Sequence, residues 1–388
     1  MKAAERSTLA RIRLASQLIS SADSRSAVDV VRWMTAMQAQ DLPGALWAVA
    51  LRMPGGTRDQ VTAAFDHGEV VRSWPFRGTL HLVPGEDLGW MLDLTAARTL
   101  TGAATRHRGL GLDAHTFAHA RDLAERALAG RKSLTRDELF AAFDADGVST
   151  QGQRGVHLLW YLAHTKTICF GPMVGPNGTN QALVLLDEWI GHPRALDRDQ
   201  SLGELVLRYV TSHGPATLKD FLWWSKVLVK EAKIGLELAR PGLESIEVDG
   251  VEYWMAAGTL DADSAARAGG GSSGSGGGGG GGAVYLLPGF DEYILGYTDR
   301  SVPLDEGHFE RIVPGGNGMF LPTIVAGGRV IGSWSRKATT KQVAVTPDPF
   351  VTLTPAVQRG IHRTAEVYAH YSGLPLAATK KAADLTRK

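Results

Sequence analysis

Two glutamines, Gln38 and Gln40, are residues whose type and spacing could do chemistry. They flank Ala39 in the stretch VVRWMTAMQAQDLPGALWAVALR, residues 30–52. A glutamine side chain offers one acceptor oxygen and two donor hydrogens, so two such amides facing one cavity can hold a water molecule. The alternative is a polar helix end that takes part in no reaction.

The surrounding pattern predicts a helix over residues 26–41, which ends because Pro43 and Gly44 follow. Positions i and i+2 do not share one face of a helix. Both amides can therefore point at one cavity only if the helix ends or bends there. Apolar neighbours such as Trp33 and Met37 indicate a packed surrounding rather than a solvated one.

A second polar group follows in the order Arg77, Thr79 and His81. On a β-strand these three side chains would share one face, because side chains alternate between the two faces. An ordinary solvent-facing strand would look the same. The neighbouring Trp74 and Phe76 favour a packed setting and thus a site.

Asp291 and Glu292 form a third candidate, within LLPGFDEYILGY at residues 286–297. They could ligate a metal or act as an acid/base pair, although adjacent carboxylates in a loop are more often solvated or capping. The 12 histidines show no HExxH spacing, and Cys169 is the only cysteine. We therefore expect neither a metal nor a cofactor.

Composition sets broad limits on the function. The chain has 388 residues, of which 44% are hydrophobic and 21% charged, as in ordinary globular proteins, and its net charge is +1. A single cysteine fits a reducing cytoplasm, and we see neither a signal peptide nor a membrane-spanning run. A DNA-binding protein with this charge would need its cations gathered on one face. Nothing resembling a heptad seam argues for a dimer, so we expect a monomer.

Helix-turn-helix patterns recur before residue 250. SLGELVLRYVTSHGPATLKDFLWWSKV, residues 201–227, has a helix, a Gly-Pro turn and a second helix. In the preceding region Thr135 and Glu138 have the spacing of a capping box, and ICFGPMVGPNGTNQALVLL, residues 168–186, predicts a β-hairpin. We predict three tandem winged helix-turn-helix modules, at residues 7–110, 111–200 and 201–247.

The remaining chain changes character, because short β-rich runs are split by Gly and Pro between residues 248 and 375. This composition favours a small β-barrel. A glycine-rich run at residues 269–282 interrupts it, and we interpret that run as a disordered loop. The predicted fold class is thus α+β, with three winged-helix modules and a C-terminal β-barrel.

Four segments occur in an order that resembles the winged-helix DNA glycosylases of the AlkZ and YcaQ type. They are MQAQDLPGALWAVALR, RSWPFRGTLHLVPGEDLGWM, HGPATLKDFLWWS and LLPGFDEYILGYTDRS. The resemblance extends from about residue 7 to residue 375. It implies three winged helices and a β-barrel around a DNA-sized channel. It also implies that Gln38 and Gln40 form the catalytic Gln-apolar-Gln motif, and the glycine-rich insertion is a departure from the family pattern.

The resemblance further implies removal of bulky N-alkylated purines and unhooking of interstrand crosslinks in double-stranded DNA, as protection against alkylating genotoxins. Two neutral amides suit such substrates, because a purine alkylated at N7 is already cationic and leaves without needing a proton. We expect Arg77, Thr79 and His81 to contact the DNA. The alternative is a binding protein without catalysis, such as a transcriptional regulator or a drug-binding resistance protein.

Overall fold

The computed structural model describes residues 1–175, 178, 180–268 and 283–378, and it has a mixed α/β architecture. The glycine-rich run at 269–282 lies outside the described residues, so its predicted disorder stays a prediction. None of the described helices is both long enough and apolar enough to cross a membrane.

The first unit of the fold ends in a β-hairpin that leads into a long helix. Its elements are α1 (Ala3–Ser16), α2 (Ala27–Met34), β1 (Met37–Gln38), α3 (Leu42–Ala50), α4 (Arg58–Asp66), β2 (Val70–Phe76), β3 (Thr79–Pro84) and α5 (Gly85–Gly109). Ser26 and Thr57 start α2 and α4 through capping boxes, which satisfy backbone N–H groups that the helix itself leaves free.

The second unit has the same order of helices followed by a hairpin. Its elements are α6 (Ala114–Leu128), α7 (Arg136–Ala145), α8 (Arg154–His164), β4 (Ile168–Val174), β5 (Asn180–Leu185) and α9 (Leu186–Trp189). The capping box of Thr135 and Glu138 is confirmed at the start of α7. The hairpin expected over residues 168–186 is confirmed as the antiparallel pair of β4 and β5.

The third unit repeats that order once more. Its elements are α10 (Arg198–His213), α11 (Leu218–Ser225), α12 (Val229–Ala239), β6 (Leu243–Val248), β7 (Val251–Ala256) and α13 (Thr259–Ala268). Thr217 caps α11 and Asp220 completes the capping box. The helix ends at Lys226, whose backbone is left-handed with φ of 59°.

The C-terminal part combines short helices with one antiparallel sheet and a final long helix. Its elements are β8 (Val284–Leu287), α14 (Glu292–Leu295), α15 (His308–Ile312), β9 (Thr323–Ala326), β10 (Arg329–Ala338), β11 (Val343–Pro349) and α16 (Pro355–Ser372). Helix α16 packs against β8. The ring centres of Trp47 in α3 and Tyr368 in α16 are 4.9 Å apart, and the two rings meet edge to face.

One pairing recurs in all three units. In each unit a short extended segment, which follows α2, α6 or α10, pairs with the last strand of the hairpin. The paired residues are Met37 and Leu82, Leu134 and Leu183, and Ala216 and Trp254. The first two hairpins also join edge to edge through Arg72 and Phe170, which gives a single five-stranded sheet of order β1-β3-β2-β4-β5.

The helix predicted over residues 26–41 is wrong in its second half. Helix α2 ends at Met34, Thr35 turns the chain with φ of 69°, and β1 follows. Pro43 lies in the first turn of α3, where its missing N–H costs no hydrogen bond, so it begins a helix rather than ending one. The reason for the error is that β1 forms only through pairing with β3, far along the chain.

The β-barrel predicted for residues 248–375 is not what the described residues form. Their four strands make an open sheet of order β11-β10-β9-β8. Residues 251–256 pair instead with residues 243–248 in a separate two-stranded sheet of the third unit. The β-rich composition correctly predicts that this part of the chain forms strands. Composition does not predict which strands become neighbours.

A buried ion pair joins the first unit to the C-terminal part. Arg52, just after α3, donates to both carboxylate oxygens of Asp291, at 2.9 and 3.0 Å. Both side chains are almost fully buried, with 0% and 1% of their surface exposed. Arg52 also donates to the carbonyl oxygens of Gln17 and Ala48, so its charge is fully hydrogen-bonded in the interior.

Replacing Asp291 with Asn should destabilise the fold strongly, because the buried Arg52 guanidinium would lose its counter-charge. The expected loss is about 3–5 kcal/mol in the free energy of unfolding. Urea denaturation measures it. The matched control is Glu237→Gln, which breaks an exposed pair with Arg240 and should change little. Equal urea midpoints for wild type and Asp291→Asn would show that this pair does not hold the two parts together.

Candidate active site

Gln38 lies on β1, directly opposite His81 of β3. Its backbone N–H donates to Glu292 Oε1 at 2.9 Å, and its side-chain oxygen accepts from Arg77 Nη2 at 2.9 Å. Because Arg77 is a donor, the amide oxygen faces it, and the NH2 group points elsewhere. The side chain is half-buried, so this NH2 group has access to the outside.

Gln40 lies two residues further along the same extended segment and is exposed. Its side-chain oxygen accepts from the backbone N–H of Leu80 at 3.0 Å. Between the two glutamines, Ala39 is buried and its N–H donates to the carbonyl oxygen of Leu80 at 2.7 Å. Strand β1 ends at Gln38, and Gln40 lies at a bend that follows it. Both amides are held by the β2–β3 hairpin, Gln38 by Arg77 in the turn and Gln40 by the backbone of Leu80.

Arg77 sits at the tip of the β2–β3 hairpin and not on a strand. It and Gly78 have left-handed backbones, with φ of 56° and 67°, as a two-residue hairpin turn requires. The guanidinium donates to the carbonyl oxygen of Trp224 at 2.8 Å, in addition to its bond with Gln38. This turn thus aims a cation from the first unit at the third unit, directly beside the glutamine.

The expected polar stripe of Arg77, Thr79 and His81 does not form, because Arg77 is in the turn. His81 is fully buried, with 0% of its surface exposed, and in this position no external ligand can touch it. Thr79 is half-buried, and its hydroxyl donates to the carbonyl oxygen of Phe76 at 3.4 Å. The three residues are close together, but only Arg77 and Thr79 reach the surface.

His81 holds Arg77 in place as a neutral imidazole. Burial and the adjacent Arg77 charge lower the pKa of His81 to about 3. Its two ring nitrogens lie 2.9 Å from the carbonyl oxygen of Thr79 and 3.1 Å from Arg77 Nη2. A proton on Nδ1 satisfies both contacts, because Nδ1 then donates to Thr79 and Nε2 accepts from Arg77.

Glu292 is a buried carboxylate that holds the backbone of Gln38. It accepts from the Gln38 backbone and from Trp224 Nε1, the latter at 3.1 Å, and its Oε2 lies 3.5 Å from His213 Nε2. Burial alone would raise the pKa of Glu292. Contact with His213 and the charge of Arg77 outweigh burial and lower it to about 2. The group is therefore ionised at neutral pH.

The neighbouring Asp291 caps α14 by accepting from the Tyr293 N–H at 3.0 Å, as one of the two sequence interpretations proposed. Neither carboxylate is solvated, because both are buried. Across the parts of the chain that the structure describes, no three His, Cys, Asp or Glu side chains converge as metal ligands would. The supporting role of Glu292 was missed, although its apolar and aromatic neighbours in the sequence signal burial.

A cluster of cations around Trp223 was also missed by the sequence analysis. The guanidinium carbons of Arg77 and Arg300 each lie 5.1 Å from the centre of the Trp223 ring, and Lys226 Nζ lies 5.8 Å from it. Among the described residues, no carboxylate is within ion-pair distance of any of these three cations. The cluster therefore gathers three cations without a direct carboxylate contact, of which Arg77 also binds Gln38.

Comparison with known proteins gives matches over nearly the whole chain. The family described as DNA glycosylase AlkZ-like matches residues 31–371. An interstrand DNA cross-link repair glycosylase of Streptomyces sahachiroi is 27% identical over 386 residues, covering 96% of this chain and 98% of that protein. The solved structure of the Streptomyces sahachiroi DNA glycosylase AlkZ superimposes with a TM-score of 0.75 at 25% identity, covering 98% of this chain and all of that one.

Replacing Glu292 with Gln should destabilise the protein at pH 7, because an amide nitrogen would then face a backbone or indole donor. We expect a loss on the order of 1–3 kcal/mol. The folded-state pKa lies below the ordinary value of 4.5, so the stabilisation is complete above pH 4.5 and disappears as the pH falls towards about 2. The difference between wild type and variant should shrink over that range.

Urea denaturation of both proteins at pH 7 and at acidic pH measures this difference. Glu306→Gln is the control, because Glu306 is exposed and should show no such pH dependence. A penalty for Glu292→Gln that is the same at both pH values would mean that the charge of Glu292 contributes nothing to the fold.

Proposed function

The chain belongs to the AlkZ-like DNA glycosylase family, and from that membership we propose that it hydrolyses N-glycosidic bonds of N7-alkylated purines and unhooks interstrand crosslinks. It is a DNA glycosylase, and the proposed substrate is double-stranded DNA carrying such adducts. The observation that supports the proposal is that the side chains of Gln38 and Gln40 are both held by the β2–β3 hairpin, through Arg77 and the Leu80 N–H, and that Arg77 belongs to the cations around Trp223.

The chemistry fits two neutral amides. A purine alkylated at N7 carries a positive charge and departs as a neutral base, so the enzyme has no need to protonate it. What remains is to position water near the anomeric carbon and to stabilise positive charge that develops on the sugar. Gln38 and Gln40 supply oriented dipoles for both purposes but cannot take up a proton at neutral pH.

The hydrogen bonds of the two amides assign their orientation. Each side-chain oxygen already accepts one bond from the protein, from Arg77 or from Leu80 N–H, and keeps its second lone pair. The NH2 groups remain as the more accessible ends. Gln40 in particular is placed to donate a hydrogen bond to the adduct or to the sugar.

Charge balance at the site depends on Glu292. Arg77 lies 2.9 Å from the Gln38 side-chain oxygen and would oppose a cationic transition state if it acted alone. Glu292, ionised and buried, lies on the other side of the Gln38 backbone. Its negative charge acts on Arg77 and offsets part of the charge of that cation.

We assign DNA contact to the cations around Trp223. Arg77, Lys226 and Arg300 come from three different parts of the chain and have no carboxylate partner in the described residues, so phosphate oxygens can pair with them. Thr79 is near enough to the same surface to add a hydroxyl. His81 serves this contact by holding Arg77.

The three repeated units support an arrangement of three winged helices around the DNA. A hairpin follows four helices in the first unit and three in each of the others, and a short extended segment pairs with its last strand. The third unit then includes β6 and β7 and extends beyond the boundary of residue 247 that the sequence suggested. Gln38 occupies the paired segment of the first unit, so the proposed chemistry belongs to that unit.

Replacing Gln38 or Gln40 with Ala should slow release of 7-methylguanine from duplex DNA by roughly 10- to 1000-fold, because one positioned polar group is lost. Single-turnover release of free base measures this rate. Replacing Gln40 with Asp distinguishes its roles. A carboxylate still accepts hydrogen bonds but cannot donate one, so the orientation of Gln40 predicts a severe loss for this variant.

Gln358→Ala is the control, since Gln358 is an exposed glutamine on α16. If both alanine variants bind DNA normally and release base at the wild-type rate, Gln38 and Gln40 are structural residues and not catalytic ones. The alternative of a DNA-binding protein without catalysis at this site would then be favoured. Full activity of Gln40→Asp would instead favour water orientation by an acceptor at this position.

Replacing Lys226 with Gln should weaken duplex binding and reduce its salt dependence. If Lys226 neutralises one phosphate, the slope of log affinity against log salt should become shallower by about 0.9. Fluorescence anisotropy at several salt concentrations measures the slope. Arg359→Gln removes one exposed cation from α16 and should leave it unchanged. An unchanged slope for Lys226→Gln would exclude this lysine from the phosphate contacts.

A further inference from the structure

Next to Gln40 a cleft of about 440 Å³ opens between the first and second units. Gln40 and Arg72 line it on one side. Its apolar lining comes from both units: Trp74, Leu80, Val156, Leu159 and Phe170. The cleft lies where the two hairpins join, because Arg72 of β2 and Phe170 of β4 are the paired residues at that seam.

The walls of this cleft are aromatic. The centres of the Trp74 and Phe170 rings are 5.6 Å apart, and the rings are inclined at 46° to each other. Trp74 is largely buried, and only a small part of its ring borders the cleft. Trp74 belongs to a hydrophobic cluster made mainly by the second unit, and Phe170 packs against that cluster.

Arg72 adds one fixed cation to the apolar lining. Its guanidinium donates to the carbonyl oxygen of Ala39 at 2.9 Å and to Gln181 Oε1 at 3.2 Å. It lies 5.2 Å from the centre of the Phe170 ring. Burial lowers the pKa of Arg72 to about 10, which still leaves it charged at neutral pH. Arg72 thus joins the backbone of the Gln-Ala-Gln segment to the cleft wall.

The size of the cleft decides what can occupy it. A volume of about 440 Å³ is in the range of sites for whole small molecules, which is about 300–1,000 Å³. A methyl group on a purine would leave it nearly empty. Gln40 both lines the cleft and belongs to the proposed catalytic pair, so a group attached to the reacting purine is within reach of the cleft.

We propose that this cleft binds the aromatic substituent of a bulky N7 adduct and thereby selects aromatic alkylation products over methylated bases. Trp74 and Phe170 contact the faces and edges of the substituent, and Arg72 meets acceptor atoms or the π-face. The second unit then contributes to specificity, while Gln38 and Gln40 act on the sugar. This inference rests on the proposed glycosylase function.

The test uses two duplexes, one with 7-methylguanine and one with 7-benzylguanine, and single-turnover rates of base release. Val156 lines the cleft and is 50% exposed, so the larger side chain of Val156→Trp narrows the cleft. We expect this variant to lower benzylguanine release by about tenfold or more, the range for losing an apolar pocket contact, while methylguanine release stays within about twofold.

Val229→Trp is the matched control, because Val229 is 56% exposed on α12 and does not line the cleft. It should leave both rates unchanged. A Val156→Trp variant with the wild-type ratio of the two rates would overturn the proposal. Equal slowing on both substrates would overturn it too, since the cleft would then hold the purine itself. A wild-type protein that releases neither base refutes the glycosylase proposal instead.

Discussion

The buried carboxylate of Glu292 is the interaction on which the candidate site depends. Glu292 itself belongs to the C-terminal part. Its carboxylate accepts hydrogen bonds from the backbone N–H of Gln38 in the first unit and from the indole N–H of Trp224 in the third unit. A buried charge is stable only when its hydrogen-bonding capacity is satisfied. Donors from distant segments must therefore converge on Glu292, and their convergence fixes the glutamine segment beside Arg77.

A second carboxylate beside it reinforces this arrangement. Asp291 binds Arg52 bidentately, so consecutive residues of one turn anchor the C-terminal part to the end of α3 and to β1. The hydrophobic clusters also join distant parts of the chain. One cluster unites α2, α3 and α4 with the C-terminal sheet, and another unites the first hairpin with the third unit. The units consequently share their cores and do not form separate globules.

The sequence predicted what local interactions determine. The capping box of Thr135 and Glu138 and the hairpin over residues 168–186 both follow from residues close together in the chain. Features made by distant pairing were missed. Strand β1 forms only by pairing with β3, and the open C-terminal sheet depends on which strands become neighbours. The cluster at Trp223 brings together cations from residues 77, 226 and 300.

The repeated pairing segment has an evolutionary consequence. Leu134 and Ala216 make in the second and third units the pairing that Met37 makes in the first, and all three side chains are apolar. The scaffold thus tolerates apolar side chains at this place. The proposed chemistry rests on side chains in one copy of a repeat whose pairing is made by backbone groups. Because that pairing does not need the two amides, shared architecture alone is a poor guide to which proteins of this fold are enzymes.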